Sequence, residues 1–192
     1  MTGVDLAVAR GNTLLNQLTD AQLAELLEEA AAVDLAIGAV LYEPGRPVEA
    51  IHFPLLGVIS LVTDLGGDDQ VEAATVGDEG MSGISVFLGA DTPTERASVQ
   101  VAGRAITLTA AAFDRAVAAV DGPLYATMRR YTQTMFTQLA RNAGCNRVHT
   151  VRQRTARWLL TTEDRMHSPT FKLTQEFLAQ LLAVRRGSVS RE

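Results

Sequence analysis

Seven short β-type segments lie between residues 39 and 108, and no helical pattern interrupts them. Turn residues separate them, among them Pro44-Gly45, the run GGDD at 66–69 and Gly77-Asp78. A series of short strands at nearly even spacing closes into a barrel or stacks in two layers, because each strand has one face to bury. The pattern therefore predicts an antiparallel β-roll of the jelly-roll type. The predicted strands are 39–42, 50–53, 57–63, 70–76, 84–88, 96–101 and 104–108.

Helical patterns flank this β-rich region on both sides. Thr19 followed by Gln22 has the spacing of a capping box and predicts a helix over about residues 20–31. Thr109 can cap a short helix after the last strand, and Pro123 lies where a long helix over 124–149 should begin. Another helix is predicted over 150–165. The chain is therefore expected to be of the α+β class, with flanking helices around the roll.

The long predicted helix carries an apolar seam. Leu124, Met128, Tyr131 and Met135 follow one another at spacings of four, three and four residues, and Leu139 lies one position off the line. We expect these five residues to contact a second copy of the chain, because the preceding roll already has a core of its own. An ordinary helix that packs against its own barrel is the alternative. Beyond Met135 the seam becomes polar, which suits pairing at one end only.

Charge is distributed unevenly along the chain. Residues 1–128 carry 18 acidic and 5 basic side chains, whereas residues 129–192 carry 4 acidic and 12 basic ones. Such an asymmetry is expected when only the C-terminal part meets phosphate groups. Basic side chains that merely solvate helix faces are the alternative interpretation.

Residues 174–192 have the pattern of two helices joined by a turn. Thr174 is suited to cap the first helix. Arg186 and Arg191 can each donate two hydrogen bonds to a guanine, and Ser188 can hold a phosphate. The pattern predicts a helix-turn-helix that reads double-stranded DNA, with a helical hairpin that has a basic end as the alternative. The side chains that cluster at the N-terminal end of the second helix are Arg185, Arg186, Ser188 and Arg191.

Four stretches of the sequence resemble the CRP/FNR family of bacterial transcription regulators: LYEPGRPVEAIHFPLLGVISLV, GDEGMSG, QRTARWLL and FKLTQEFLAQLLAVRRGSV. The resemblance extends from about residue 12 to the end of the chain. It implies a homodimer that binds a palindromic operator, with RNA polymerase as a further partner. It also implies an effector in the roll that alters the orientation of the two helix-turn-helix segments, here called the reading heads. It also implies that Thr174 and Gln175 contact phosphate, and that bases are read by Arg186, Gly187 and Arg191.

The same resemblance suggests how the chain is divided. Residues 1–121 correspond to an effector-sensing β-roll domain, 122–149 to a dimerisation helix, and 150–192 to a winged helix-turn-helix. Family members continue beyond the position of Glu192 into a β-wing, so we expect a C-terminally truncated and incomplete reading head. A truncated head leaves a second function open, which is a sensor and dimerisation module that does not bind DNA.

The resemblance also places an effector site in the roll, at the turn over residues 77–83. Ser82 stands where cyclic-AMP-binding members have the acid that holds the ribose. Leu139-Ala140 replace the polar pair that contacts the purine. Because unpaired polar groups of a nucleotide are costly, we expect no tight cyclic-AMP binding and leave the effector unidentified. The candidate effector-binding residues are Glu79, Gly80, Met81, Ser82, Arg96 and Ala97.

Other chemistry finds little support in the sequence. The single cysteine, Cys145, cannot hold an iron–sulfur cluster, and His52 is the only histidine within the predicted roll. We therefore expect no metal, no cofactor and no enzymatic activity; an enzyme on a cupin-like barrel would need a clustered metal site. Neither a signal peptide nor a membrane span is evident, so a cytoplasmic location is expected.

Overall fold

The computed structural model describes residues 4–66, 70–90, 92–118 and 122–171, in which short helices, an antiparallel sheet and two long helices follow one another. The helices are α1 (Leu6–Ala9), α2 (Asp20–Leu27), α3 (Ile84–Phe87), α4 (Ala110–Val117), α5 (Pro123–Val148) and α6 (Val151–Met166), and a 3₁₀ turn covers Leu15–Gln17. The strands are β1 (Ala31–Leu35), β2 (Val40–Tyr42), β3 (Ala50–Asp64), β4 (Gln70–Val76) and β5 (Arg96–Thr109).

The sheet is built around β3 and β5. These two strands pair over almost their whole length, from Ala50 opposite Thr109 to Val62 opposite Arg96. β1 and β2 pair with β5, and β4 pairs with β3, so the strand order is β1-β5-β3-β4 with β2 beside β5. All of these pairings are antiparallel. Within the described residues, β4 therefore has one edge that no strand covers.

The β3–β5 pair bends where its register shifts. Gly57 lies at this bend with a φ of 97°, and a Cβ on Gly103 would come within 2.0 Å of the Leu56 carbonyl oxygen. Only glycine fits where two backbones approach so closely. The bulged pair carries the sheet around its own core, and the predicted antiparallel roll with flanking helices is confirmed.

Large apolar side chains fill the inside of the roll. Phe53 of β3 and Phe113 of α4 are fully buried, and their ring centroids lie 6.2 Å apart. Ile51, Ile59 and Ile106 are buried in the same cluster. Removing each such side chain from water contributes roughly 1.5–3 kcal/mol. The short α4 thus closes one side of the roll and leads the chain towards α5.

Helix boundaries agree with the local sequence signals. The Thr19 side chain accepts from the backbone N–H of Gln22, and the Gln22 side chain accepts from the backbone N–H of Thr19. Thr109 caps α4 through the backbone N–H of Ala112, and Pro123 occupies the first turn of α5. Both long helices begin and end within one residue of their predicted bounds.

Two local predictions are wrong, one within the β-rich region and one for the helix before it. Residues 84–88 form α3 instead of a strand: Gly83 turns the chain with a φ of 85°, and Phe87 then packs against Tyr125 of α5 with ring centroids 5.5 Å apart. The predicted helix over 20–31 ends at Leu27, because residues 31–35 pair with β5 and become β1. The strands predicted over 50–53 and 57–63 are joined in β3, and those over 96–101 and 104–108 are joined in β5.

The apolar seam of α5 faces the chain's own roll. Its four in-line residues are buried in the same core cluster as the strands, so they are not available to a second copy of the chain. This corrects the dimer-contact prediction for Leu124, Met128, Tyr131 and Met135. Leu139 lies one position off the line, and its side chain is exposed.

Candidate functional site

The turn after β4, where the effector site was predicted, is held in place by the N-terminal segment. The Asn12 side chain is fully buried, and its amide nitrogen donates to the backbone oxygens of Pro54 at 2.9 Å and Gly80 at 2.8 Å. Its Oδ1 accepts from the backbone N–H groups of Leu14 and Leu15. One side chain therefore satisfies four backbone groups and joins the segment before α2 to β3 and to the turn.

α5 covers the middle of this turn. The Tyr131 hydroxyl donates to the backbone oxygen of Met81 at 2.9 Å, and a Cβ on Gly80 would come within 2.5 Å of the hydroxyl oxygen. Burial raises the pKa of Tyr131, which keeps the phenol protonated as a donor. Ser82 donates its backbone N–H to the backbone oxygen of His52 at 2.9 Å. Burial lowers the pKa of the His52 imidazole to about 4. Gly80, Met81 and Ser82 are thus buried beneath α5 and β3.

The C-terminal end of α6 is attached to the same turn. The Arg165 guanidinium donates to both the hydroxyl and the backbone oxygen of Thr75, the latter at 3.0 Å. It also forms an ion pair with Glu79, with 3.1 Å between Nε and Oε2. Beside it, the His167 Nε2 atom lies 2.7 Å from Oδ2 of Asp78. Two side chains of the turn therefore hold α6.

Two amide side chains of α5 cover the free edge of β4. Gln138 donates to the backbone oxygen of Thr75 at 3.1 Å, and Asn142 donates to that of Ala73 at 2.9 Å. Four residues along a helix rise about 6 Å, and two along a strand span about 6.8 Å, so amides at i and i+4 match alternate carbonyls. The seam becomes polar beyond Met135 because it passes from the core to this edge, whose carbonyls need donors.

A cavity of about 300 Å³ lies between β4, α3 and α5. The polar residues of its lining are three threonines and Glu95. Leu139, at the position that the resemblance aligns with a purine contact, forms part of its wall. None of the six predicted effector-binding residues lines this cavity. Its apolar walls are formed by Leu61, Ala73, Ala74, Ile84, Leu88, Met135, Phe136 and Leu139.

The structure does not bring the six predicted effector-binding residues together. Arg96, at the start of β5, donates from Nε to Glu43 at 2.8 Å, and the next residue, Ala97, is fully buried. Four of the six share the turn after β4, but three of these are buried and Glu79 is paired with Arg165. The assignment of Glu79, Gly80, Met81, Ser82, Arg96 and Ala97 to an effector stays a prediction.

The predicted DNA-contacting residues lie outside the part of the chain that the structure describes. They are Thr174, Gln175, Arg185, Arg186, Gly187, Ser188 and Arg191, and their role stays a prediction. In the described ranges, no three His, Cys, Asp or Glu side chains are grouped as ligands for a metal ion. No helix in those ranges is long and apolar enough to cross a membrane.

Two of the residues that build this region carry no local sequence signal. The contacts of Asn12 and Arg165 with the sheet and the turn reach between 42 and 90 positions along the chain, so no short spacing marks them. The one usable signal was the polar continuation of the α5 seam. An i, i+4 pair of amides after an apolar seam predicts that a helix face leaves a core and meets polar backbone.

No protein-family model and no curated protein matches the sequence. Solved structures do match. A transcriptional regulator of the CRP/FNR family from Eubacterium rectale is similar with a TM-score of 0.73 at 14% identity, covering 95% of this chain and 85% of that one. The c-di-GMP-responsive global regulator CLP of Xanthomonas campestris gives a TM-score of 0.71 at 12% identity, covering 90% and 89%.

A third solved structure is similar over a shorter stretch. The regulatory subunit of a cAMP-independent protein kinase A from Trypanosoma brucei gives a TM-score of 0.58 at 14% identity, covering 67% of this chain and 46% of that one. At such identities the likeness is one of fold. The chain thus has the fold of the CRP/FNR transcription regulators, with a rolled antiparallel sheet followed by a long helix that lies along it.

Proposed function

We propose that this chain is a transcription regulator of the CRP/FNR type, which binds double-stranded DNA as a homodimer and whose roll senses an effector other than cyclic AMP. The extent of the fold likeness carries the proposal. The two bacterial regulators match 95% and 90% of the chain, whereas the kinase regulatory subunit matches 67%. A match to 95% of the chain is not confined to the roll, and it takes in most of α5 and α6.

The charge of the C-terminal part supports DNA as the partner. Residues 129–192 carry 12 basic and 4 acidic side chains, and three of the basic ones are Arg185, Arg186 and Arg191 of the predicted reading head. A palindromic operator would match a two-fold symmetric pair of heads. RNA polymerase is a further partner in this proposal.

The outward face of α5 supports a homodimer. Phe136 is 61% exposed although it is a large aromatic side chain, and Leu139 lies one turn further on with its side chain exposed. Ala140 and Ala143 are exposed on the same face, where small side chains allow a second helix to approach closely. An exposed apolar face of this kind on a long helix marks an interaction surface. We assign it to a second copy of the chain, in place of the buried seam.

The apolar cavity supports an effector without the polar groups of cyclic AMP. Its volume of about 300 Å³ fits a small molecule, and eight of its twelve lining residues are apolar. A ribose hydroxyl or cyclic phosphate in this place would find three threonines and one glutamate but no basic side chain. The carboxylate repels a phosphate. The proposed effector is therefore a mainly apolar molecule.

A mobility-shift titration of the chain on its own promoter region tests DNA binding. The logarithm of the association constant should fall linearly with the logarithm of salt concentration, because phosphate contacts release counterions. Arg186→Ala combined with Arg191→Ala should weaken binding at least tenfold, since each two-bond contact to guanine is worth about 1–3 kcal/mol. The matched control removes two arginines of the roll, Arg46 and Arg104. An association constant that does not change with salt concentration, or that falls equally in the control variant, would refute the proposal.

Light scattering coupled to size exclusion tests the homodimer. Phe136→Glu should convert a dimer to a monomer, because it replaces the most exposed large apolar side chain of the proposed contact with a charge. Ile37→Glu is the matched control, since Ile37 is 60% exposed on another part of the surface and Phe136 is 61% exposed. A wild-type chain that is monomeric at micromolar concentration, or a Phe136→Glu variant that stays dimeric, would contradict this surface.

A sensor and dimerisation module that does not bind DNA is the second candidate function. The attachment of α6 to its own roll through Arg165 and His167 favours it, because α6 leads directly into the predicted reading head. A dimer that shifts no promoter fragment at low salt would select this candidate.

A further inference from the structure

A second cavity, of about 490 Å³, lies where β4, α5 and α6 meet. It is separate from the apolar cavity, because no residue lines both. Of its fifteen lining residues, all except Trp158 are polar or charged. Such walls favour a ligand that forms hydrogen bonds and ion pairs over an apolar one.

Three polar atoms of these walls are shielded from water and have no hydrogen-bond partner among the described residues. Two are donors, Nε of Arg157 and Nε1 of Trp158, and the third is an acceptor, Oε1 of Gln138. Trp158 is only 6% exposed, and its indole nitrogen is buried. Buried polar groups are rarely left unpaired in folded proteins. Unpaired donors and an unpaired acceptor around one cavity point to a missing molecule that supplies their partners.

Most acidic groups around this cavity are already engaged. The carboxylate of Glu79 pairs with Arg165, and that of Asp78 pairs with His167. Glu72 accepts hydrogen bonds from two side chains of the sheet, and burial raises its pKa to about 7, so it is only partly ionised at neutral pH. Three of the four carboxyl groups that line the cavity therefore already accept hydrogen bonds from protein groups.

Two arginines of the cavity form no ion pair with a described carboxylate, although the charge of Arg157 acts on Glu72. Arg157 donates only to the neutral amide oxygen of Asn142, at 2.7 Å, and Arg141 forms no ion pair with any described residue. The remaining carboxylate of the lining, Asp164, belongs to an exposed residue. The cavity therefore offers two cations and an indole N–H to a ligand, which is the donor set that a carboxylate or phosphate group needs.

We infer that this cavity binds a small molecule with an oxyanion, a carboxylate or a phosphate, held by Arg141, Arg157 and the indole N–H of Trp158. A hydroxyl or amino group of the same molecule donates to Oε1 of Gln138. Since the walls belong to β4, α5 and α6, the bound molecule links the roll to the helix that precedes the predicted reading head. The site is distinct from the proposed effector cavity and does not depend on DNA binding.

The fluorescence of Trp158 tests this site, because it is the only tryptophan of the chain. The full chain is titrated with inorganic phosphate and, separately, with malonate, at pH 7.5 and constant ionic strength. A saturable change with phosphate alone assigns a phosphate-bearing ligand, one with malonate alone assigns an organic acid, and one with both assigns the oxyanion as the recognised group. No saturable change with either probe overturns the inference.

Variants locate the bound probe. Arg157→Gln should raise the Kd of the active probe at least tenfold, and Arg141→Gln at least threefold. Arg152→Gln, an exposed position of α6 outside the cavity, is the control and should leave the Kd unchanged. Arg141 is exposed, so its removal does not threaten the fold and its result stands even if Arg157→Gln fails to fold. A Kd for Arg141→Gln equal to that of the wild type overturns the assignment. Binding of the probe by a chain that shifts no promoter fragment would support this site and contradict the proposed function. A promoter shift by a chain that binds neither probe would do the opposite.

Discussion

Glu79→Met should destabilise the chain more than Arg165→Met, although both substitutions break the same ion pair. The two partners differ in burial, since the Arg165 side chain is 8% exposed and that of Glu79 is 40% exposed. Glu79→Met leaves a buried cation without its counter-ion, a change that costs about 3–5 kcal/mol. Arg165→Met leaves a carboxylate that water can reach, and methionine keeps most of the aliphatic stem that packs against Gly77.

The cost of Arg165→Met follows from the contacts that remain. The backbone oxygen of Thr75 still accepts from Gln138 at 3.1 Å, and Glu79 still accepts from the backbone N–H of Gly77 at 3.3 Å. The Thr75 hydroxyl and one carboxylate oxygen lose their donor. The expected loss is about 1.5–3 kcal/mol, the range of hydrogen bonds to charged groups.

Urea denaturation at pH 7 measures both single variants and the double variant. The double variant should cost less than the sum of the single variants by roughly 1–3 kcal/mol, because two methionines leave neither charge unpaired. Arg115→Met is the control: its ion pair with Glu29 is exposed on both sides, so the loss should stay below about 1 kcal/mol. A larger loss for Arg165→Met than for Glu79→Met, or strict additivity, would refute the argument that burial of the unpaired charge decides the cost.

Three other substitutions test the surroundings of the turn. Asn12→Ala leaves four buried backbone groups unpaired and should lower the free energy of unfolding by roughly 3–5 kcal/mol. The control Asn16→Ala, at an exposed position, should change it by less than about 0.5 kcal/mol. Equal losses of the two variants in urea would contradict the role of Asn12 as a buried partner of the backbone. Gly80→Ala forces Tyr131 to move and should lower the free energy of unfolding by roughly 1–3 kcal/mol. Gly144→Ala, at an open helical position, should raise it by about 0.5–1 kcal/mol. Thermal melts that rank the two variants the other way would exclude this packing of Tyr131 on Gly80. Glu72→Gln tests pH dependence, because burial raises the pKa of this carboxyl from 4.5 to about 7. Below pH 4.5 the Glu72 carboxyl is protonated in both the folded and the unfolded chain, and as the pH rises towards 7 it ionises first in the unfolded chain. The stability of the wild type should therefore fall relative to that of Glu72→Gln by up to about 3 kcal/mol. A stability difference between the two proteins that is the same at pH 4 and pH 8 would contradict this.

The local boundaries of the fold could be predicted because they depend on neighbouring residues. The capping box at Thr19, the cap at Thr109 and the proline at position 123 each act within one helical turn, and the structure has all three. The β4 strand over 70–76 was predicted with its bounds for the same reason, since turn residues flank it. The succession of roll, long helix and second helix follows from these local signals in order.

The direction in which each element faces was decided by the tertiary structure. The apolar seam of α5 fits a partner helix and the chain's own roll equally well, and only the path of β4 beside α5 selects the roll. Residues 84–88 have the composition of a strand, yet Gly83 and the contact of Phe87 with Tyr125 make them helical. A one-dimensional pattern records which residues are apolar but not which surface they meet.

The candidate sites divide in the same way. The glycine-rich run marked the turn after β4, and the resemblance to the CRP/FNR family pointed to that turn as an effector site. It did not reveal that Glu79 holds α6, or that Trp158 and two arginines border a polar cavity, since these contacts join positions as many as 90 residues apart. Hydrogen bonds and ion pairs act over a few ångströms in space, and only the folded chain determines which distant side chains come within that reach.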